Sequence, residues 1–252
     1  MESSQRQLRE QVAAAARILS YERLVQGFGH VSARIPGSEL FLLTPRISLA
    51  LVRADDLLVM NLKGEIIKRR HAIPFEAPLH VAIMRHLPHV QAATRIHARV
   101  ANMFSVTDRK LEPVHSHGSF FAGGVPVFPK PDLISSPELA DQVVAVLGDR
   151  PAVLLRGNGQ VTVGRSVPEA VMMAIYLEEA AEILAGALQI GAPIPLTVEE
   201  SASRQREALP PPDLERAWNF FKNRAQSNNT KAKKFGEFTA ETRRARRKTV
   251  NQ

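Results

Sequence analysis

The chain has 252 residues, of which 44% are hydrophobic and 23% charged, and it contains no cysteine. This length suits one sizeable α/β domain, and the lack of cysteine excludes disulfides, thiolate metal sites and cysteine nucleophiles. No apolar run reaches the ~18 residues that a membrane span needs, and the first residues lack a secretory signal pattern. We therefore expect a soluble, cytoplasmic protein with no membrane partner.

The net charge of +8 is concentrated at the C-terminus. Residues 231–252 hold eight lysines and arginines against two glutamates, so the body of the chain is close to neutral. A terminal basic run is typical of a solvated tail, and we do not expect a nucleic-acid partner. The break at Pro210-Pro211-Pro212 predicts a domain over 1–210 and a C-terminal extension with a basic tail over 211–252.

Apolar periodicity and turn residues predict the elements of the first half of the chain. In order, these are a helix over 8–19, a hairpin of strands over 30–35 and 40–44, a strand over 57–60 followed by a turn at 63–64, and a short helix over 74–87.

The second half alternates strands with helices in the same way. The predicted elements are a strand over 92–96, a helix from 98 to 104, an extended segment over 125–129, a helix over 139–147, strands over 152–155 and 160–163, and a long helix from Pro168 to about Gly191.

Residue types that suit proton transfer or metal binding cluster in the middle of the chain. His97 directly follows an apolar strand, and Glu76 and His80 are four residues apart on one face of a predicted helix. His115 and His117 lie on the following segment. A carboxylate and several histidines favour a divalent metal site or an acid/base relay.

Five short motifs, in this order and with similar gaps, resemble the class II aldolase/adducin family over roughly residues 5 to 190. They are Gly29-His30-Val31-Ser32 at its Gly-Asn-x-Ser strand, Leu43-Thr44-Pro45 at its Thr-Pro turn, Glu76 to His80 at its Glu-x-x-x-His helix, His97 at the first position of its His-x-His pair, and Arg156-Gly157-Asn158-Gly159 at its Arg-Gly-His-Gly turn. Each motif is weak alone, but the ordered set is fairly specific.

The resemblance implies an α/β fold, a three-layer α/β/α domain around a central, largely antiparallel sheet. It also implies a homotetramer with active sites at subunit contacts. In that family a zinc or similar divalent ion is typically held by three histidines, and the glutamate acts as acid/base. The ion polarises a carbonyl or enediolate oxygen for carbon–carbon cleavage or decarboxylation.

Two of the three metal positions depart from the family pattern. Arg99 and Asn158 replace histidines; arginine has no lone pair to donate, and asparagine offers only a neutral carbonyl oxygen. His97, His115 and His117 are then the candidate metal ligands. A divalent ion (zinc, manganese or iron) and a metal-free site remain equally open.

The residues that cradle a sugar phosphate in the family have also changed. Its Thr-Pro-Ser-Gly turn is Thr44-Pro45-Arg46-Ile47 here, and Pro74-Phe75 replaces its Ser-Ser pair, which removes small hydroxyl and glycine donors. We therefore predict a small, non-phosphorylated carboxylate substrate, aromatic or muconate-like as in the decarboxylase branch of the family.

Arg46 or Arg99 is predicted to pair with the substrate carboxylate through its planar fork. Asn158, Thr44 and Ser32 complete the predicted substrate-binding set.

The leading functional prediction is a carbon–carbon lyase, a decarboxylase or aldolase, in which Glu76, His30 and His97 are catalytic. Phe75, beside Glu76, predicts apolar surroundings that suit a carboxyl group in proton transfer. Two alternatives remain: an iron-dependent oxygenase on the same scaffold, and a non-catalytic, adducin-like binding or assembly protein.

Overall fold

The computed structural model describes residues 2–68 and 70–227. Its centre is one eight-stranded sheet. The strands are β1 (His30–Arg34), β2 (Leu40–Leu43), β3 (Leu58–Asn61), β4 (Ile66–Lys68), β5 (Ala92–Ile96), β6 (Val127–Phe128), β7 (Ala152–Leu155) and β8 (Gln160–Gly164). They lie in the order β4-β3-β2-β1-β5-β8-β7-β6, and every neighbouring pair is antiparallel except β6 and β7.

Helices cover both faces of this sheet. They are α1 (Glu2–Tyr21), α2 (Ala77–His86), α3 (Arg99–Phe104), α4 (Pro137–Leu147), α5 (Val167–Ile190), α6 (Val198–Ala208) and α7 (residues 211–227). Apolar residues of α1, α3 and α5 pack on one face, and those of α2 and α4 pack on the other. The predicted three-layer α/β/α fold with a largely antiparallel sheet is confirmed.

Within residues 2–227, no helix combines the length and apolar character needed to cross a membrane.

Local sequence explains where several elements begin and turn. Ser136 and Ser166 cap α4 and α5, since each hydroxyl oxygen accepts a backbone N–H three residues later, and a proline follows each cap. Gly64 turns the chain between β3 and β4 with φ of +85°, a conformation that favours glycine.

The start of α2 differs from the prediction in a way that matters for the site. The helix begins at Ala77 rather than Pro74, which leaves Glu76 at its N-cap position with φ of −90° and ψ of 20°. Glu76 makes no side-chain cap bond there, so its carboxylate is available to neighbouring strands.

Residues just after the predicted boundary at 210 pack on the domain. Trp218, in α7, is 6% exposed and belongs to the same apolar core as α1 and α5, and Arg224 pairs with Glu22 at 3.1 Å. The predicted extension thus begins with a packed helix, and the domain division itself stays a prediction. The basic run over 231–252 lies outside the described residues.

Candidate active site

A buried ion pair joins β5 to the start of α2. Arg95, in β5, has no exposed surface, and its Nε and Nη2 donate to Oε1 of Glu76 at 3.2 and 3.1 Å. Its Nη1 also donates to the carbonyl oxygen of Ile96 at 2.9 Å. A buried charge is costly unless it is paired, so Arg95 and Glu76 hold each other in place. The apolar surroundings that we predicted for Glu76 are replaced by a guanidinium.

His97 contacts the same guanidinium. Nη1 of Arg95 lies 3.1 Å from Nε2 of His97, whose Nδ1 lies 3.2 Å from the carbonyl oxygen of Phe28. Because a guanidinium only donates, Nε2 accepts, and the proton resides on Nδ1 and is donated to Phe28. Burial lowers the pKa of His97, and the charge of Arg95 lowers it further. The ring is therefore a neutral imidazole near pH 7.

His30 and His80 complete the cluster on the same side of the sheet. His30 lies opposite Arg95 in the pairing of β1 with β5, so the two side chains share a face. The rings of His30 and His80 meet edge to face at 5.7 Å, and Oγ of Ser32 lies 2.7 Å from Nδ1 of His80.

Both rings are neutral and retain an unused nitrogen. Burial lowers the pKa of His80 to about 3, with a further contribution from Arg95. Burial, followed by His80, Arg95 and His97, holds the pKa of His30 well below its ordinary value. Nε2 of His80 and Nδ1 of His30 are buried without a hydrogen-bond partner among the described residues.

The turn between β7 and β8 brings Asn158 to His97. The side-chain amide of Asn158 lies 3.5 Å from the carbonyl oxygen of Asp132, and the backbone N–H of Gly159 donates to Oδ1 of Asn102 at 2.9 Å. At Gly159, with φ of +76°, a Cβ would overlap the carbonyl oxygen of Ile96. Only glycine allows this turn to approach so closely.

Arg46 lies at the exposed edge of the cluster. Its guanidinium carbon is 4.5 Å from the ring centroid of Phe75, and Phe75 immediately precedes Glu76. Arg46 itself is exposed, so its charge is accessible to an incoming carboxylate.

Thr44 and Ser32 have inward-facing partners. Oγ1 of Thr44 accepts the backbone N–H of Val31 at 2.9 Å, and Ser32 contacts His80; both side chains are fully buried. Through these bonds the two side chains hold β1, β2 and α2 together. Because both are buried, this geometry does not favour direct contact with a ligand.

Arg99 contacts Gln26. It is the exposed first residue of α3, and its Nε and Nη2 lie 3.0 and 2.8 Å from the side-chain oxygen of Gln26 when that amide is oriented to accept. The two carboxylate oxygens of Glu178 accept the next two backbone N–H groups, of Val100 and Ala101, at 2.9 and 2.8 Å. Arg99 is thus held at the beginning of a firmly capped helix.

His115 and His117 form a separate group with Glu179 of α5. One ligand atom from each of the three lies within 4.8 Å of the others, a spacing that can hold a metal ion. Nδ1 of His117 is 2.9 Å from Glu179, and the ring stacks on Tyr176 with centroids 4.1 Å apart. Within residues 2–68 and 70–227, His97 is not part of such a group.

Among the described residues the structure groups His115 and His117 with Glu179 and does not bring His97 to them, so the predicted ligand set stays a prediction. His97 turns its two nitrogens to Arg95 and Phe28, whereas the other two histidines face α5.

A cavity of about 660 Å³ opens beside His117 between α5 and α7. Four glutamates and one arginine line it, Glu22, Glu178, Glu179, Glu182 and Arg216, so carboxylates outnumber the guanidinium. Partial burial, followed by Glu178 and Glu179 about one helical turn earlier, raises the pKa of Glu182. This cavity is acidic and therefore suits a cation better than a carboxylate substrate.

The residues at the family's metal positions cannot form a metal site with three histidine ligands. The Nε2 lone pair of His97 already accepts from Arg95, Arg99 has no lone pair, and Asn158 supplies at most one neutral oxygen.

Comparison with known proteins identifies the scaffold. The chain matches the Class II Aldolase and Adducin N-terminal domain over residues 10–185. It belongs to that family. It is 31% identical over 186 residues to 3,4-dihydroxyphthalate decarboxylase from Arthrobacter keyseri, covering 68% of this chain and 74% of the relative.

Two further proteins are similar to this chain. An L-fuculose phosphate aldolase from Methanococcus vannielii is 32% identical over 171 residues, covering 66% of this chain and 89% of the relative. A solved aldolase II superfamily protein from Pseudomonas syringae superposes with a TM-score of 0.78 at 26% identity, covering 89% of this chain and 94% of that one. The decarboxylase and the fuculose phosphate aldolase are both carbon–carbon lyases by name.

Sequence reasoning missed Arg95, the role of His80, and Glu179. For Arg95 a signal was available, because an arginine within an otherwise apolar strand must find a buried partner.

Proposed function

We propose that this chain is a carbon–carbon lyase that decarboxylates a small, non-phosphorylated, hydroxylated aromatic carboxylate. The observation that carries the proposal is the Arg95–Glu76 pair, because it presents a fixed carboxylate beside the neutral imidazoles of His30 and His97. The decarboxylase relatives and the loss of small phosphate-binding residues support the same substrate class.

Glu76 is the proposed proton carrier. Both bonds from Arg95 end on its Oε1, so Oε2 is the oxygen that exchanges a proton with the substrate. The carboxylate takes the proton of a ring hydroxyl, which raises electron density on the ring carbon that bears the leaving carboxylate. The same proton then passes from Glu76 to that carbon, the carbon–carbon bond breaks, CO₂ departs, and the product phenolate takes a proton from water.

Other side chains bind and orient the substrate in this proposal. Arg46 pairs with a substrate carboxylate at the exposed edge, and Phe75 offers an adjacent ring face. His30 lies beside Arg95 on the same face of the sheet and supplies a neutral, buried imidazole behind the substrate. Asn158, in the turn that lies against His97, closes the other side.

Aldol cleavage is the second candidate, since the fuculose phosphate aldolases match two thirds of the chain and the same base can take a hydroxyl proton. The iron-dependent oxygenase and the adducin-like assembly role gain no specific observation from this geometry. Where the chain binds a divalent ion, we assign it to His115, His117 and Glu179.

The test is an assay of CO₂ release with 3,4-dihydroxyphthalate and mono- and dihydroxybenzoates, with L-fuculose 1-phosphate cleavage as the contrasting arm. We expect CO₂ from a hydroxylated aromatic carboxylate and no cleavage of the sugar phosphate.

Glu76→Gln should lower kcat by ~10²-fold or more, because it removes a general acid/base without changing size. The exposed Glu39→Gln is the matched control. Turnover of Glu76→Gln within about threefold of the parent would transfer the role to His30, and the reverse substrate preference would replace the decarboxylase by an aldolase.

A further inference from the structure

The guanidinium of Arg95 makes three kinds of contact that a catalytic cation would make. It binds the carboxylate of Glu76 at 3.1 and 3.2 Å, it is 3.1 Å from the lone pair of Nε2 of His97, and it is fixed by the carbonyl oxygen of Ile96 at 2.9 Å. We propose that Arg95 stands in the place of the family's metal ion, as a built-in cation that makes this site independent of metal.

The first argument is that the lone pair that a metal ion would need is already used. A metal ion needs the Nε2 lone pair of His97, and Arg95 takes that pair with an N–H. An ion bound there would also lie against a buried guanidinium. Two cations in such a site repel strongly, since the surroundings are poorly screened.

The second argument is space. Arg95 is completely buried, and Nη1 lies only 3.0 Å from the place where a Cβ of residue 159 would stand. The glycine turn therefore closes directly over the guanidinium and leaves it fixed between α2 and the β7–β8 turn.

The third argument is that the neighbouring changes agree with this replacement. Arg99 extends to Gln26 at the surface, and the neutral side-chain amide of Asn158 lies 3.5 Å from the carbonyl oxygen of Asp132. With the cation supplied by β5, neither position needs an imidazole.

Because Arg95 is not exposed, it is a positioning residue that acts through Glu76 and His97. This inference concerns the architecture of the site and does not depend on which substrate is turned over, so zinc binding tests it without an activity assay.

The experiment compares two variants with the parent. Arg99→His with Asn158→His restores both imidazoles and keeps Arg95; adding Arg95→Met removes the guanidinium at similar volume. Each protein is loaded with zinc and dialysed, and its zinc content is measured by elemental analysis. Zinc held by the parent, which we assign to the His115–His117–Glu179 group, is subtracted.

We expect the triple variant to retain about one additional zinc per chain, as a three-histidine site would, and the double variant to retain none. Zinc should also raise the Tm of the triple variant and not that of the double variant. Equal zinc retention in both would show that the guanidinium does not occupy the metal position. Absence of extra zinc in the triple variant would show that these positions do not converge on one ion, and would equally overturn the proposal.

Loss of Arg95 leaves Glu76 buried without its partner, so the triple variant is prepared in the presence of zinc. If it does not fold, Glu76→Gln is added to remove the unpaired charge. That quadruple variant must still gain about one zinc relative to its Arg95-containing counterpart; failure to do so counts against the proposal.

Discussion

At the scale of single residues, His80 shows how burial fixes a protonation state. The ring has no exposed surface, accepts or donates one bond to Ser32, and lies near the charge of Arg95. Folding therefore keeps it neutral down to a pKa of about 3, whereas its ordinary value is 6.5. Below pH 6.5 the unfolded chain binds a proton at this position that the folded chain does not bind, so stability falls as the pH falls.

We predict that the unfolding free energy of His80→Gln depends less on pH in the acid range than that of the parent. Between pH 7 and pH 5 the parent should lose about 2 kcal/mol more unfolding free energy than the variant, because only the parent carries this proton linkage. Urea denaturation at the two pH values measures the difference, and the exposed His89→Gln should track the parent. An identical loss in parent and His80→Gln would mean that His80 is not kept neutral by folding.

The sequence indicated which residue types carry the chemistry better than it indicated their partners. Glu76, His30 and His97 do lie together with Arg95, as the motif order suggested. His115 could not be placed from spacing alone, because its position depends on packing against α5. Arg95 was visible as a charge inside an apolar strand, but the identity of its partner depends on the docking of α2.

At the scale of elements, α5 positions the segment that carries His97. Glu178, in the middle of α5, accepts the first two free N–H groups of α3 at 2.9 and 2.8 Å, although the residues are 77 and 78 positions apart. A carboxylate at a helix N-terminus satisfies orphan donors and interacts favourably with the helix dipole. The loop from His97 to Arg99 is thereby tied to the longest helix of the domain.

We predict that Glu178→Gln lowers the unfolding free energy by about 1–3 kcal/mol, because it replaces two charge-assisted bonds to a buried helix end. Equilibrium urea denaturation measures this loss. Glu182→Gln, one turn along the same helix and exposed, is the control; it should be neutral or slightly stabilising because it relieves repulsion from Glu178 and Glu179. A loss no larger than that of the control would remove Glu178 from this role.

Element positions were predicted well where the signal is local. The strand over 92–96 and the helix α5 follow directly from apolar runs and proline or glycine at their ends. β6 is shorter than the predicted segment, since only Val127 and Phe128 pair with β7. The bridge from Glu178 to α3 has no local signal, because its partners meet only after the sheet has formed.

At the scale of the whole molecule, the family resemblance supplied the layer order that periodicity alone does not determine. The predicted homotetramer and cytoplasmic location stay predictions. The predicted boundary at 210 leaves α7 outside the domain. In the described part of the chain, however, Trp218 and Ala225 of α7 are buried in the domain core.

We therefore predict that the stability of the domain needs residues up to 227 and not those beyond. Ending the chain after residue 227 removes the basic run and should leave the unfolding free energy and sedimentation behaviour unchanged, because the buried contacts of α7 are retained. Ending it after residue 210 removes Trp218, and Trp218→Ala in the full chain should itself cost about 3–5 kcal/mol, as expected for a large buried ring. Urea denaturation and sedimentation velocity compare the parent, the two shortened chains and Trp218→Ala. Phe220→Ala, at an exposed position of the same helix, is the matched control. Equal stability of the chains ending at 210 and 227 would restore 210 as the end of the domain, and loss of oligomers on removal of 228–252 alone would make the tail a structural arm.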